Sequence, residues 1–349
     1  MRTHTTSLVA VFVAASTLML AGCTAPTSET ASTSSPVPSV AKVTLHVGTD
    51  DDVDAPAAKE ILQYADDVHR LSDGAITILG AWHSAGDTAN WDQAVAQQVI
   101  SGEVEMGLIP TRAWDMLGVT SLEPLNDPFL IQSDDLVKTI VTGPIAADLM
   151  AGLPDKGVTG ISLFPEGLRH PFANAKPLLK PADYKGGTMR AATSAASTAL
   201  YGAYGAKVTD NESDTVLQIG TDSSFLLGNE ESTATGNVTF YPKVNGLVIS
   251  SKVLAMLSQA QKDVLIQAAK DTQKWTFTHI ADEKASAKVF CTAGGSITAA
   301  SAEGLAALQA AAAPVGATLA SHGTNQKVID AISAAGGGKP APDPVTACP

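Results

Sequence analysis

Between residues 43 and 109 the chain repeats one pattern, and that pattern admits few folds. Residues 43–47 alternate as a strand does. Ala58, Ile61, Leu62, Ala65, Val68 and Leu71 then recur at helical spacing, and Ser72-Asp73-Gly74 stops the helix. Residues 75–79 read as a second strand. Trp91, Ala94, Val95 and Val99 mark a second helix, Gly102 ends it, and residues 104–109 form a third strand. Strands alternating with helices imply βαβ units around a parallel sheet. In open α/β sheets a ligand crevice lies beyond the C-terminal ends of the strands. The segments after Val47, Leu79 and Ile109 are therefore expected to wall a site. Trp82, Trp91 and Trp114 fall in or near them and read first as packing, second as stacking partners for a ligand.

Later segments fit the same class. Residues 122–130, LEPLNDPFL, read as a turn. Helical spacing returns over 134–150, and 158–164 is a buried strand. Ser258-Gln-Ala-Gln261 is a capping box that opens a helix with Val264, Leu265, Ala268 and Ala269 on one face. Residues 281–289, 302–313 and 326–335 read as the last helices. The acidic run DDDVD at 50–54 has neither the glycine nor the distal acid of a calcium loop. It reads as a solvated loop in which Asp54 caps a helix, with Pro56 in its first turn.

The N-terminus is an export signal. Arg2 supplies the positive start, and residues 8–20 are apolar but short and Ala-rich for a membrane span. Leu20-Ala21-Gly22-Cys23 looks like a lipobox, which would make Cys23 the lipidated first residue of the mature chain. An ordinary signal peptide ending in Cys, or a retained membrane helix, would be the alternatives. Residues 23–40 are rich in Ser, Thr, Pro and Ala and read as a flexible tether.

A formal net charge of −13 with no basic stripe argues against nucleic acid. Enzyme signatures are missing: there is no Gly-x-Ser-x-Gly, His-Glu-x-x-His, phosphate-cradling loop or Gly-x-Gly-x-x-Gly. The seven histidines show no pair at metal spacing. The chain is read as a non-enzyme with no cofactor and no metal. Cys291 and Cys348 remain once Cys23 is set aside. Outside the cytoplasm two thiols usually pair, which here would staple the C-terminal tail for roughly 4 kcal/mol on a chain-entropy argument. Two free thiols are the alternative.

Against this acidic background, residues 166–191 hold Arg169 and Arg190. A guanidinium presents a rigid fork of donors matched to the two oxygens of a carboxylate. Two such forks facing one cleft would hold a small organic acid. Arg169 also has a surface-loop reading, and Arg190 an ion-pair reading. His170 reads as structural, and Asn174 as a residue that orients Arg169 or caps a turn.

The same stretch, EGLRHPFANAKPLLKPADYKGGTMRA, resembles the start of the second lobe in the DctP-type substrate-binding proteins of TRAP transporters. The likeness extends to Gly102-Glu-Val-Glu-Met106, to LEPLNDPFL, to Tyr241-Pro-Lys243 and to Gly246-Leu-Val-Ile-Ser250. It covers about residues 43–275 and weakens over 207–240. The resemblance implies an α/β, two-lobed, periplasmic-binding-protein-like fold, type II-like, with a hinge and an interlobe ligand cleft. It implies that Arg190 and Arg169 hold the ligand carboxylate. The family's Asp-Gly-Gln-Glu-Asn-Pro segment is replaced here by Leu227-Gly-Asn-Glu-Glu-Ser232, so Asn229 is the nearest match to its binding asparagine, two residues off in spacing.

The expected organisation is a signal peptide at 1–22, a tether at 23–40, first-lobe residues 41–166, second-lobe residues 167–249, a return to the first lobe at 250–288, and C-terminal helices and tail on the second lobe at 289–349. The implied function is capture of a small carboxylate by a monomer, lipid-anchored outside the cytoplasm, which delivers it to the permease subunits of a TRAP transporter. The competing readings are a sensor that passes its closed state to a signalling partner, and a structural lipoprotein without a ligand.

Overall fold

The computed structural model describes residues 41–210, 218–228, 231–280, 282–337 and 344–349. The first third builds the βαβ units that its periodicity predicts. β1 (Val43–Gly48) leads to α1 (Pro56–Leu71), β2 (Ile76–Ala81), α2 (Trp91–Ser101) and β3 (Met106–Pro110). β1 lies between β2 and β3, parallel to both. Pro56 takes the first position of α1, so Ala55 rather than Asp54 is the N-cap, and no side chain caps that end. Ala58, Ile61 and Val68 are buried as the spacing predicts, whereas Leu62 turns out to solvent at 49 % exposure.

Two short 3-10 helices, Thr111–Leu117 and Thr120–Asn126, follow β3, the second with Pro124 inside it. The helical region expected over 134–150 divides at Gly143-Pro144 into α3 (Asp134–Thr142) and α4 (Ile145–Met150). Proline lacks the N–H that would continue the helical ladder.

β4 (Val158–Ala173) is the organising element. The sequence suggests a strand that stops near Phe164, but β4 continues through Pro165 and Pro171. Its register against a neighbour shifts between Gly160 and Ser162 and again between Pro165 and Leu168. Bulges absorb residues that a regular ladder rejects. Gly167 makes the second one possible: its φ is +90°, and an added Cβ would meet Ser224 Cβ at 3.1 Å. The expected lobe boundary at 166/167 thus falls inside one strand.

Beyond it come α5 (Pro181–Tyr184), β5 (Thr188–Arg190), α6 (Ala195–Ala203), β6 (Lys207–Thr209), β7 (Gln218–Ser223), β8 (Thr233–Thr235) and β9 (Tyr241–Ser250). β9 is buried along its whole length and runs antiparallel to both β3 and β4. The sheet order is β2-β1-β3-β9-β4-β7-β5-β6. The first half of β4 pairs with β9 in the first lobe, and its last residues pair with β7 and β8 in the second. Two α/β lobes therefore share the crossing strands β4 and β9.

α7 (Ser251–Met256) and α8 (Gln259–His279) return the chain to the first lobe. Both halves of the expected capping box form, since Gln261 N donates to Ser258 Oγ at 3.3 Å and Ser258 N to Gln261 Oε1 at 2.8 Å. Leu265, Ala268 and Ala269 pack with Ile61, Tyr64 and Val68 of α1. A second first-lobe core surrounds Trp114, which is fully buried. The second-lobe core gathers Tyr184, Tyr201, Tyr204 and Phe240.

α9 (Glu283–Thr292), β10 (Ser296–Thr298), α10 (Ala302–Ala320) and α11 (Asn325–Gly336) end the chain. Cys291 and Cys348 are bonded, with Cα atoms 5.7 Å apart. Their link closes a satellite core in which Val345 joins Phe172, Phe225 and Phe290. The C-terminal helices do not stay on one lobe. α10 packs on α5 and α6, but α11 lies against α3 and α4 of the first lobe, where buried Asn325 donates to Glu123 Oε2 at 3.0 Å.

Candidate binding cleft

The sheet places the two predicted arginines on either side of β7. Arg190 ends β5 in register with Thr221 of β7, and Arg169 lies on β4, which pairs with the other edge of β7. Arg169 is buried, and its Nη1 donates to the Asp222 carbonyl oxygen at 3.1 Å. Arg190 is half-buried at the C-terminal end of a parallel strand, where the switch-point rule expects a ligand. Asn229 and Cys23 lie outside the described residues. Asn174 Nδ2 faces the Gln218 carbonyl at 3.4 Å. His170 is fully buried, faces the Val238 carbonyl oxygen at 2.8 Å through Nδ1 and Glu283 Oε1 at 2.5 Å through Nε2, and stacks on Phe225. That is a structural role. Burial disfavours its charged form, but the Glu283 carboxylate outweighs this and raises its pKa.

Around the arginines the structure assembles polar groups that the sequence does not announce. Buried Asp222 accepts from Tyr241 OH at 2.5 Å and from Tyr201 OH at 3.0 Å. Ser197 Oγ lies 3.1 Å from Tyr241 OH. From the first lobe, Arg112 Nη2 meets Asp92 Oδ2 at 3.1 Å, both groups nearly buried. Burial works against the Arg112 cation, but the fields of Asp92 and then of Asp222 across the cleft hold it charged. Burial raises the pKa of Asp92, while Arg112 pulls it the other way.

The floor is made by the crossing strands. Lys243 Nζ contacts Glu166 Oε1 at 2.5 Å, and Asn245 Nδ2 donates to Glu166 Oε2 at 2.6 Å and to Glu60 Oε2 at 3.1 Å. Glu60, Glu166 and Asn245 are fully buried. Burial, and then the charge of Glu166, lifts the Glu60 pKa well above its usual value. Asp51 lies 3.9 Å from Lys243. Next to it, burial followed by Asp92 pushes Asp50 up to about 6. A sequence signal for this floor did exist: β9 reads YPKVNGLVIS, and Lys243 and Asn245 are polar residues in a strand that is buried throughout.

The lobes touch across the mouth. Gln93 Nε2 donates to the Thr193 carbonyl at 2.8 Å, and Asn90 N to Asp210 Oδ2 at 3.3 Å. Asp115 Oδ2 accepts from Ala196 N at 3.2 Å, at the start of α6. Of the three tryptophans, Trp114 is committed to the core, while Trp82 and Trp91 are half-buried. Separately, a surface groove of about 500 Å³ between Lys176, Lys180 and Glu303 shares no residue with the cleft.

Two α/β lobes joined by paired crossing strands, with charged groups from both lobes at the crossing, make a two-lobed fold of the periplasmic-binding-protein type. Residues 48–213 match the family model described as DctP, bacterial extracellular solute-binding protein family 7. Its members are extracytoplasmic substrate-binding transport proteins, not enzymes. A comparison with curated protein sequences finds no match.

Solved structures share the fold. The sugar acid binding protein DctPAm of Advenella mimigardefordensis, in complex with galactonate, is 22 % identical with a TM-score of 0.71, covering 85 % of this chain and 99 % of its own. A TRAP periplasmic solute-binding protein of Bradyrhizobium sp. with galacturonate is 18 % identical with a TM-score of 0.73, covering 84 % and 100 %. One from Sulfurospirillum deleyianum with succinate is 17 % identical with a TM-score of 0.71, covering 85 % and 100 %.

Proposed function

We propose that this chain is an extracytoplasmic, lipid-anchored solute-binding protein that captures a small organic acid between its lobes and delivers it to the membrane subunits of a TRAP-type transporter. The observation that carries the reading is the placement of Arg169, within β4, and Arg190, at the end of β5, on either side of β7. Two fixed guanidinium groups form a carboxylate clamp, and the contacts of Gln93 and Asp115 with the second lobe close the mouth over it. The solved relatives, in complex with galactonate, galacturonate and succinate, support an acid as the ligand. Cys23, followed by the Ser/Thr/Pro-rich stretch, supports a tethered lipid anchor.

The test is a thermal-shift screen of the purified protein against small organic acids and sugar acids. A ligand at a hundred times its Kd adds about 2.7 kcal/mol, a shift of a few degrees for a chain of this length. A hit among the acids that is lost in Arg190→Ala supports the reading. Silence from protein freed of carried-over ligand by unfolding and refolding would overturn it.

A further inference from the structure

The proposed acid clamp belongs to the second lobe, and the first lobe brings its own pair of charges to the same crossing. The segment Thr111–Leu117 follows β3 directly and carries Arg112 and Asp115. Asp115 reaches the start of α6, and Gln93 reaches the Thr193 carbonyl. Asp92 precedes Gln93, and Arg112 lies one turn before Asp115, so the Arg112–Asp92 pair is set beside two of the bridges between the lobes. Burial weighs most on Arg112; of the charges, Asp92 acts on it first, and Asp222 and Tyr241 next. Those two also flank Arg169, one through its carbonyl oxygen and one as its register partner. The pair therefore looks across the cleft towards the clamp.

Arg112 and Asp92 are joined by one contact, Nη2 to Oδ2 at 3.1 Å, and neither side chain makes another hydrogen bond among the described residues. Nε and Nη1 of Arg112 and Oδ1 of Asp92 are thus unused. The two side chains keep 13 % and 8 % of their surface open. None of these three atoms is enclosed without a partner, as Trp114 Nε1 and Asp115 Oδ1 are in the same segment. The spare donors and the spare acceptor are therefore within reach of a ligand. A second carboxylate gains little here, because Asp92 already offsets the guanidinium and repels an anion. A hydroxyl fits, since it accepts from Arg112 and donates to Asp92 at once.

We propose that Arg112 and Asp92 are the ligand-binding residues of the first lobe, and that they select hydroxylated acids over plain acids of the same length. The inference rests on the carboxylate reading above and deepens it by assigning the other end of the ligand. The carboxylate meets the arginines of the second lobe, and hydroxyls meet the Arg112–Asp92 pair. Because that pair sits beside the bridges of Gln93 and Asp115, a ligand that engages it is held only when the lobes are together. A plain acid satisfies one lobe and leaves the other without a partner.

The test uses acids matched in length on the purified protein: erythronate with butanoate, gluconate with hexanoate, and adipate as a second carboxylate without hydroxyls. Calorimetry reads Kd for each. Hydrogen bonds to charged partners are strong enough that, within at least one pair, the hydroxylated member should bind about tenfold or more tighter. Asp92→Asn combined with Arg112→Gln leaves no unpaired buried charge, and it should shrink that ratio. Should the double variant fail to fold, Arg112→Lys, which keeps the charge opposite Asp92 but loses the fork, reads the same ratio. A plain acid that binds as well as its hydroxylated partner in both pairs would overturn the hydroxyl selection and leave the carboxylate reading standing. Adipate binding as tightly as gluconate would overturn it in favour of a second carboxylate. A ratio unmoved by the substitutions would overturn the assignment to Arg112 and Asp92. Silence from every acid would overturn both readings together.

Discussion

Arg169 and Asp222 are joined through the main chain: the guanidinium donates to the Asp222 carbonyl oxygen at 3.1 Å, on the strand next to its own. Tyr241, the register partner of Arg169 across β4 and β9, donates its hydroxyl to the carboxylate of the same aspartate. The two sides of Asp222 are thus held by β4 and β9, and Arg169 is fixed before a ligand arrives. Preorganisation of this kind lowers the entropy lost on binding.

Both arginines are tested by truncation. Arg190→Ala should weaken acid binding by about a hundredfold, given ~1.5–3 kcal/mol per charged hydrogen bond. Arg169→Ala should lose binding and also cost roughly 1–3 kcal/mol of folding stability, because the buried Asp222 carbonyl keeps only the donor of Thr221 Oγ1. Calorimetric titration reads the first effect and urea melts the second; a melt of Arg169→Ala equal to the parent's would contradict the buried tie.

Closure has its own test. Gln93→Ala removes the bond to the Thr193 carbonyl without touching either arginine. Loss of about 1 kcal/mol from the closed form should raise Kd roughly fivefold. The unliganded melt should stay within about 0.5 kcal/mol of the parent. An unchanged Kd would mean that the mouth contact does not stabilise the bound state.

Glu60 should make the protein less stable as the solution becomes less acid. Its folded pKa is raised above the unfolded carboxylate value, by burial first and Glu166 second. Below pH ~4.5 it is protonated in both states and has no effect. Above that, the unfolded chain ionises while the folded one holds its proton, and stability falls by up to about 1.4 kcal/mol per pH unit until the folded pKa is reached. Glu60→Gln keeps the acceptor for Asn245 and removes the proton. Its stability relative to the parent should grow from pH 4.5 towards 8, as followed by urea melts. A constant difference across that range would show that Glu60 is charged in the fold.

The bond between Cys291 and Cys348 spans a sequence separation of 57. A loop of that size is worth roughly 4 kcal/mol. Cys348→Ser, or reduction, should lower the Tm by several degrees and first loosen the cluster of Phe172, Phe290 and Val345. Hydrogen exchange at α9 and the tail reads the local effect; identical melts with and without reductant would rule it out.

On the proposed lipid anchor, membrane attachment would depend on one atom, the sulfur of Cys23. Cys23→Ala should move the protein from the membrane fraction to the soluble fraction while leaving acid binding intact. Retention of the variant in the membrane fraction would count against the lipid anchor.

Much of the fold is legible in the sequence because local periodicity and tertiary burial agree there. Ala58, Ile61 and Val68, the capping box at Ser258 and the three strands of the first lobe are such places. Legibility fails where long-range pairing overrides a local signal. Pro165 looks like the end of a strand, yet a bulge directly after it lets β4 run on to Ala173, with Pro171 in regular register with Asp222. Leu62 fits the helical stripe but sits at its edge. In the cleft, the arginines are visible from their residue type and surroundings. Asp92, Asp222, Tyr201 and Glu60 are not, since each becomes part of the site only when a partner remote in sequence lies beside it.

Because β4 pairs with β9 on both sides of its two register shifts and then with β7 and β8, the lobes share a strand rather than a loose loop. Opening must flex a two-stranded ribbon at the irregular steps near Gly160 and Gly167, as a leaf spring bends without its layers parting. Such a joint returns to rest by itself once the ligand leaves, and it limits how far apart the two halves of the site can ever be carried.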